Sequence, residues 1–374
     1  MIVFNKPYLS GNEFTYIQEA IKSGHISGNG SFTKKCNSFF EETYGFKKAL
    51  LTTSCTDALE MSAILADIEP GDEVIVPSYT FVSTALAFVR QGAKIIFADS
   101  QADQPNIDAN QIEKLITDKT KAIVPVHYAG VACDMDKIMA LAEKYNLIVI
   151  EDAAQAIDSY YKGKRLGSIG HMSTFSFHET KNINSGEGGL LAINDDRFIN
   201  RAEIIWEKGT NRAEFFRGEI NKYGWVDTGS SFLPSDITAA YLLAQLENID
   251  LIQTKRKSIW VNYMEGLKSF SNEHNIKLPV LPNYATNNGH MFYMTCTDII
   301  QRDKLLTYLK KNDIYAVFHY QSLHKSDYYQ AKYDGCELKN TDMFTDCLIR
   351  LPMYFELTKE EQNEVIKVCN LFKG

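Results

Sequence analysis

Residues 121–152 decide the fold: Lys121-Ala-Ile-Val-Pro125, then Met135 to Tyr145, then Leu147-Ile-Val-Ile-Glu151-Asp152. The two apolar runs show no alternation with polar residues, which suits strands buried on both faces of a largely parallel sheet. The amphipathic stretch between them reads as a covering helix, so the three pieces make a βαβ unit. Working outward, the pattern repeats. Glu73-Val-Ile-Val-Pro77 precedes a helical stretch over 81–90, and Lys94-Ile-Ile-Phe97 precedes another over 107–115. The expected fold class is α/β, a doubly wound domain whose ligands sit beyond the carboxyl ends of the strands.

Past about residue 195 the texture changes. Helical periodicity covers 197–208 and 235–264, mixed segments surround 290–296 and 315–320, and a terminal helix covers 358–372. A chain of 374 residues exceeds what one core usually holds. The expected division is a large α/β domain over 1–250 and a smaller α+β domain over 251–374.

Composition narrows the function. The chain is 45% hydrophobic with 20 Tyr and 21 Phe, which excludes disorder. Its net charge of −8 and the lack of a long basic block argue against nucleic-acid binding. No stretch approaches the about 18–20 apolar residues of a membrane span, and the opening residues turn polar too early for a secretory signal. Seven scattered cysteines without a CxxC pair fit a reduced, cytoplasmic protein with no zinc site. Any phosphate-bearing ligand is then held locally, by a loop or helix end.

Four strand ends offer such chemistry. Asp152, in Glu151-Asp-Ala-Ala-Gln155, presents a carboxylate where a ligand sits, though it also fits a helix N-cap. Lys181 follows the run Thr174-Phe-Ser-Phe and precedes the glycine-rich Gly186-Glu-Gly-Gly189. A lysine there can be desolvated, which depresses its pKa and makes it a competent Schiff-base nucleophile. In Thr52-Thr-Ser-Cys-Thr-Asp57, hydroxyls gather at a helix start, able to hold a phosphate or merely to cap. Tyr79 or Phe81, in Pro77-Ser-Tyr-Thr-Phe, can stack on a flat ring or belong to the core. Together these are the parts that pyridoxal 5'-phosphate requires.

At these residues the sequence resembles the DegT/DnrJ/EryC1/StrS family of pyridoxal-phosphate-dependent nucleotide-sugar aminotransferases, which have the aspartate-aminotransferase fold. The likeness runs on through Glu207-Lys-Gly-Thr-Asn-Arg212, His290-Met-Phe-Tyr293, Phe318-His-Tyr-Gln-Ser-Leu-His324 and Arg350-Leu-Pro-Met-Tyr354. The resemblance implies that Lys181 carries the cofactor covalently and Asp152 pairs with the pyridine nitrogen. It assigns Gln155 to the ring hydroxyl, Tyr79 to the ring face, and Cys55, Thr56 and Ser176 to the phosphate. It further implies a homodimer with active sites at the subunit interface, pyridoxamine phosphate as the alternating cofactor form, and L-glutamate and a nucleotide-linked 4-keto-6-deoxy sugar as substrates. Arg212, His319 and Tyr320 are candidate sugar contacts, and Lys208, Arg217 and Lys222 further cations for a diphosphate. Many relatives carry an Asn in the loop matching Gly229-Ser-Ser-Phe-Leu233; here there is none, and Ser230 or Ser231 stands in that place. One branch of the family replaces the lysine by histidine and dehydrates sugars; the intact Lys181 favours transamination. Enzymes giving the gluco epimer or a 3-amino sugar would share every one of these cofactor residues. A non-catalytic binding protein of the same fold is the alternative from another class.

Overall fold

The apolar runs form strands in the computed structural model, which describes residues 1–374. In chain order these are β1 (Lys48–Thr52), β2 (Glu73–Pro77), β3 (Lys94–Ala98), β4 (Thr120–Ile123), β5 (Ile148–Asp152), the short β6 (Tyr160–Tyr161) and β7 (Lys164–Arg165), β8 (Met172–Ser176) and β9 (Gly189–Ile193). Seven of them make one sheet in the order β1-β9-β8-β5-β4-β2-β3. Both faces are buried. Ile75, Ile123 and Val149 enter one core with the helices Ser31–Tyr44 and Asp236–Leu246, while Val74, Ala122 and Ile150 enter another with the helix Cys55–Leu65. This two-sided burial is why the runs lack alternation.

The sheet is parallel except at β9, which is antiparallel to both β1 and β8. The loop 177–188 joins β8 to β9 as a hairpin, so no crossover helix is needed there. The helix expected over 107–115 is cut to Ala109–Ile112 and a 3-10 turn. The stretch 235–264 is two helices, Asp236–Leu246 and Ile249–Gly266. The second passes from one core to the next: Ile252 packs under the large sheet, whereas Ile259 and Tyr263 pack under a smaller one. That smaller sheet is antiparallel, formed by β10 (Phe292–Thr295), β11 (Val317–Phe318) and β12 (Leu348–Leu351) in the order β10-β12-β11. No helix is long and apolar enough to cross a membrane.

Candidate active site

Strand register assembles the site. Gly189 of β9 pairs with Thr52 of β1 on one side and Ser176 of β8 on the other, and Thr174 pairs with Asp152 of β5. The carboxyl ends of three parallel strands thus meet at one sheet edge. They open on a cavity of about 1020 Å³, roofed by His319, Tyr320 and Arg350 from around the small sheet.

The glycine is required. A Cβ on Gly189 would lie 2.3 Å from the backbone carbon of Ser54 and 2.4 Å from the Cys55 nitrogen. Without it the helix Cys55–Leu65 starts against the strand end. Ser54 caps that helix, its Oγ accepting the Asp57 N–H at 3.1 Å. The N–H groups of Cys55 and Thr56 are left without helical partners, and both residues line the cavity. Thr56 Oγ1 and Ser83 Oγ share a hydrogen bond at 2.7 Å, and Ser176 completes this hydroxyl-lined corner. Capping and anion binding, which the sequence left as alternatives, are compatible here: Ser54 caps and its neighbours remain free.

Asp152 is buried at the end of β5. The turn that follows it is not helical, so the N-cap alternative does not hold. Its Oδ1 accepts the Ala154 N–H at 3.1 Å, and its Oδ2 accepts the Thr84 hydroxyl at 2.8 Å. Thr84 spends its one proton on Asp152, so Thr80 donates to Thr84 at 2.8 Å. Burial pushes the Asp152 carboxyl up, and the Thr84 and Ala154 bonds oppose it. A cation arriving in the cavity would restore full ionisation.

Lys181 sits in the loop 177–188, its N–H donating to the His178 carbonyl at 2.9 Å. Burial pulls the ammonium below its ordinary value; Asp152 opposes the shift and Arg350 adds to it. Asn182 fixes the loop. Its Nδ2 donates to Gln253 Oε1 at 2.8 Å and to the Asn288 carbonyl at 2.9 Å, which leaves its Oδ1 to accept the His290 Nδ1–H at 2.9 Å. Gln155 is held at both ends, accepting the Ala129 N–H at 2.6 Å and donating to the Tyr320 hydroxyl at 3.1 Å. His319 Nδ1 meets the Tyr128 hydroxyl at 2.7 Å.

Two of the expected contacts, Tyr79 and Arg212, are absent from the cavity lining. Tyr79 is 1% exposed, packs against Tyr128 and Phe344, and donates its hydroxyl to the His319 carbonyl at 2.9 Å. It lies behind the cavity wall. Phe81, 57% exposed, stands on the wall, in the turn between the strand that ends at Pro77 and the helix that starts at Ser83. Arg212 lies outside this chain's cavity, 3.8 Å from Glu207 and over the Phe216 ring. Arg217 is committed to Glu203 at 2.6 Å and Glu219 at 2.8 Å. Lys208, Lys222, Ser230 and Ser231 are likewise absent from the lining, and both serines are exposed. The residues that sequence reasoning passed over are Thr84, whose signal is its spacing of four from Thr80 on a strand-to-helix turn, and Arg350, in the quoted Arg350-Leu-Pro run.

A doubly wound sheet with a half-buried lysine and a buried carboxylate facing one cavity defines an aspartate-aminotransferase-like enzyme. The profile of the DegT/DnrJ/EryC1/StrS aminotransferase family matches residues 7–370, and the chain belongs to that family. It is 32% identical to the uncharacterized protein MJ1066 of Methanocaldococcus jannaschii over 98% of this chain and 96% of that one. Among solved structures it is similar to Spr1654 from Streptococcus pneumoniae in its PMP form, at 26% identity and a TM-score of 0.91, covering 99% of this chain and 98% of that one. It is also similar to PseC of Helicobacter pylori, an aminotransferase involved in pseudoaminic acid biosynthesis, at 25% identity and a TM-score of 0.90, covering 99% and 98%. The chain is a pyridoxal-phosphate-dependent aminotransferase. Its residues fit the cofactor: free N–H groups and hydroxyls for a phosphate, a buried carboxylate for a ring nitrogen, and a desolvated amine with no carboxylate within ion-pairing distance.

Proposed function

We propose that the enzyme moves the amino group of L-glutamate to C4 of dTDP-4-dehydro-6-deoxy-D-glucose, giving dTDP-4-amino-4,6-dideoxy-D-galactose for cell-surface glycan synthesis of the kind that feeds enterobacterial common antigen. The observation that carries the reading is Lys181 and Asp152 facing one cavity, with the capped helix Cys55–Leu65 beside them. The sugar reading is supported by PseC's pathway and by the name sugar aminotransferase carried by Spr1654.

In this reading Cys55 and Thr56 N–H groups and the Ser176 hydroxyl hold the cofactor phosphate. Asp152 keeps a proton on the ring nitrogen, Gln155 faces the ring hydroxyl, and Phe81 covers the ring face in place of Tyr79. Pyridoxal phosphate, when bound, supplies the carbonyl that takes up the amino group and a ring that spreads the charge left on the donor carbon. The Lys181 amine, its basicity lowered by burial, takes the proton from the donor Cα and returns it one step away, as base and then acid. The roof of His319 and Tyr320 limits water and presents hydroxyl and imidazole groups to the sugar.

We further propose a cytoplasmic homodimer in which each cavity is completed by the other subunit, with the larger domain over 1–250 and the smaller over 251–374. The segment 207–231 supports this: it carries Trp225 at 84% and Phe216 at 69% exposure, beside cations that do not reach their own cavity.

The test is the visible absorption of purified protein with added cofactor, before and after L-glutamate. A yellow band that bleaches with glutamate and returns with the 4-keto sugar is expected. A folded protein with no band would remove the assignment of Lys181, and a band restored only by a 3-keto sugar would move the amination from C4.

A further inference from the structure

Two hydroxyls behind Asp152 have no role in the mechanism above. Thr84 stands in the first turn of the helix Ser83–Val89 and Thr80 in the turn before it. Both are sealed, at 2% exposure or less. A threonine in a helix can bond the carbonyl three or four residues back. Thr84 instead donates to Oδ2 of Asp152 at 2.8 Å, 68 residues along the chain. An ionised carboxylate only accepts, so the Thr84 proton is spent and Thr80 donates to Thr84 at 2.8 Å. The chain of bonds therefore has one direction, Thr80 to Thr84 to Asp152, and it ends on a charge.

Glu151, the neighbour on β5, shows what a carboxylate with a structural place looks like. It takes the N–H groups of Gly167, Ile169 and Gly170 and the imidazole of His127, four bonds on two oxygens. Asp152 takes two, the Ala154 N–H on Oδ1 at 3.1 Å and Thr84 on Oδ2. Each of its oxygens keeps an acceptor position, and the residue lines the cavity. Around it stand Lys181 and His127, whose charges favour its ionised form, and Cys55 and Tyr320, whose own ionisation Asp152 opposes. None of these four bonds its oxygens, and Thr84 is the one side chain that does.

We propose that Thr84, polarised by Thr80, is a positioning residue that aims Asp152 at the ring nitrogen of the cofactor and keeps the proton between them on that nitrogen. A proton shared by two acceptors rests on the stronger base. A hydrogen bond given to the carboxylate stabilises its ionised form and so weakens it as a base. A second hydroxyl behind the first strengthens that bond. Without Thr84, Oδ2 would be desolvated with no donor, a cost that the carboxyl relieves by taking the proton itself. The ring would then lose the charge that lets it accept electrons. The inference rests on the assignment of Asp152 to the ring nitrogen and is independent of the amino donor and of the sugar.

The experiment titrates the visible absorption of the holoenzyme against pH in Thr84→Val, Thr84→Ser, Thr80→Val and, as the control, Asp152→Asn. A ring that keeps its nitrogen proton holds a second proton less tightly, so weakening the first should move the band's titration to higher pH. Asp152→Asn is expected to give the full upward shift, and Thr84→Val a shift of about 0.5–1.5 pH units in the same direction. Thr80→Val should give a smaller shift, and Thr84→Ser, which keeps the hydroxyl, should recover most of the wild-type behaviour. In Thr84→Val the saturated rate of the L-glutamate half-reaction should fall about 5–30-fold, with the half-saturating concentration within about threefold. A titration unmoved in Thr84→Val would overturn the proposal, and a lowered melting temperature beside it would make Thr84 a packing residue. Should Thr84→Val not fold, Thr80→Val is read in its place, and an unmoved band there would overturn the proposal equally. An unmoved band in Asp152→Asn would overturn the assignment of Asp152 itself, so that failure is read apart from the failure of Thr84.

Discussion

The sheet edge and the segment 207–231 hold their polar groups in opposite ways. At the edge, Asp152, Gln155 and Asn182 each have their side-chain polar atoms tied to named partners within the chain, at 2.6–3.1 Å. In the segment, Arg212 and Arg217 lean on neighbouring carboxylates at the surface, and Trp225 and Phe216 face outward. The first is a site preorganised by one chain. The second has the marks of a surface that a second chain covers. In the proposed reading the cofactor half of this enzyme is self-contained, and a second subunit would complete its substrate half.

The sharpest way to break that contrast begins with Lys181→Ala. Its turnover should fall by about 10⁴-fold or more, since one side chain acts as nucleophile, base and acid. Asp152→Asn should cost about 10²–10³-fold through loss of a preorganised charge. Mixing these two inactive proteins should restore nothing, because both residues serve the cavity of their own chain. Mixing Lys181→Ala with Arg212→Glu is expected to restore about a quarter of wild-type activity, given two-fold symmetry and random pairing. Activity measured after co-refolding decides it. No rescue, with Arg212→Glu itself inactive, would mean that the segment serves its own subunit.

The sheet edge was legible because burial on both faces leaves a continuous apolar run, and each run points to its last residue. Asp152, Ser176 and Cys55–Thr56 are placed by strand ends alone. The segment 207–231 gave no such pointer: a surface cation near other charges reads the same whether it binds a diphosphate or pairs with Glu203. Arg350 was hidden for a related reason. Its place on the cavity wall comes from the small sheet, and no spacing in the sequence encodes it. The antiparallel β9 was equally silent, since an apolar run does not record its direction.

Within the sheet edge, Glu151 and Asp152 are sequence neighbours on opposite sides of β5, and they sharpen the comparison. Glu151 faces away from the cavity and accepts N–H groups from Gly167 at 2.9 Å, Ile169 at 2.8 Å and Gly170 at 2.6 Å. His127 Nδ1 accepts the Cys133 N–H at 3.2 Å, so its Nε2–H donates to Glu151 at 2.9 Å. Burial pushes this carboxyl up, but the bonds from His127 and the two glycines outweigh it and the pKa is lowered. A lowered pKa in the folded state gives stability that is fully present above the ordinary carboxylate value and is lost as pH falls through the folded one. Glu151→Gln should therefore cost about 1.5–3 kcal/mol at neutral pH, with the gap to wild type closing below pH about 4.5 in denaturant titrations. A gap that widens in acid would sink this account.

The smallest effect separates two aromatics two residues apart. Phe81→Ala removes a ring from the cavity wall and should weaken cofactor binding by about 0.5–1.5 kcal/mol, the worth of a stacked aromatic beyond its burial. Tyr79→Phe keeps its ring against Tyr128 and Phe344 and loses only the bond to the His319 carbonyl. It should leave cofactor affinity within about twofold while lowering stability by about 1 kcal/mol. The two readouts, a cofactor titration by absorbance and a melting curve, should move for different variants. If Tyr79→Phe instead lost cofactor and kept its melting temperature, the ring face would belong to Tyr79, and the strand end would have to turn over when the cofactor enters. The hydroxyl argues against that, because it ties Tyr79 to the backbone that carries His319. Releasing it would loosen the roof of the cavity, so a Tyr79 ring swung onto the cofactor would come with a less ordered His319.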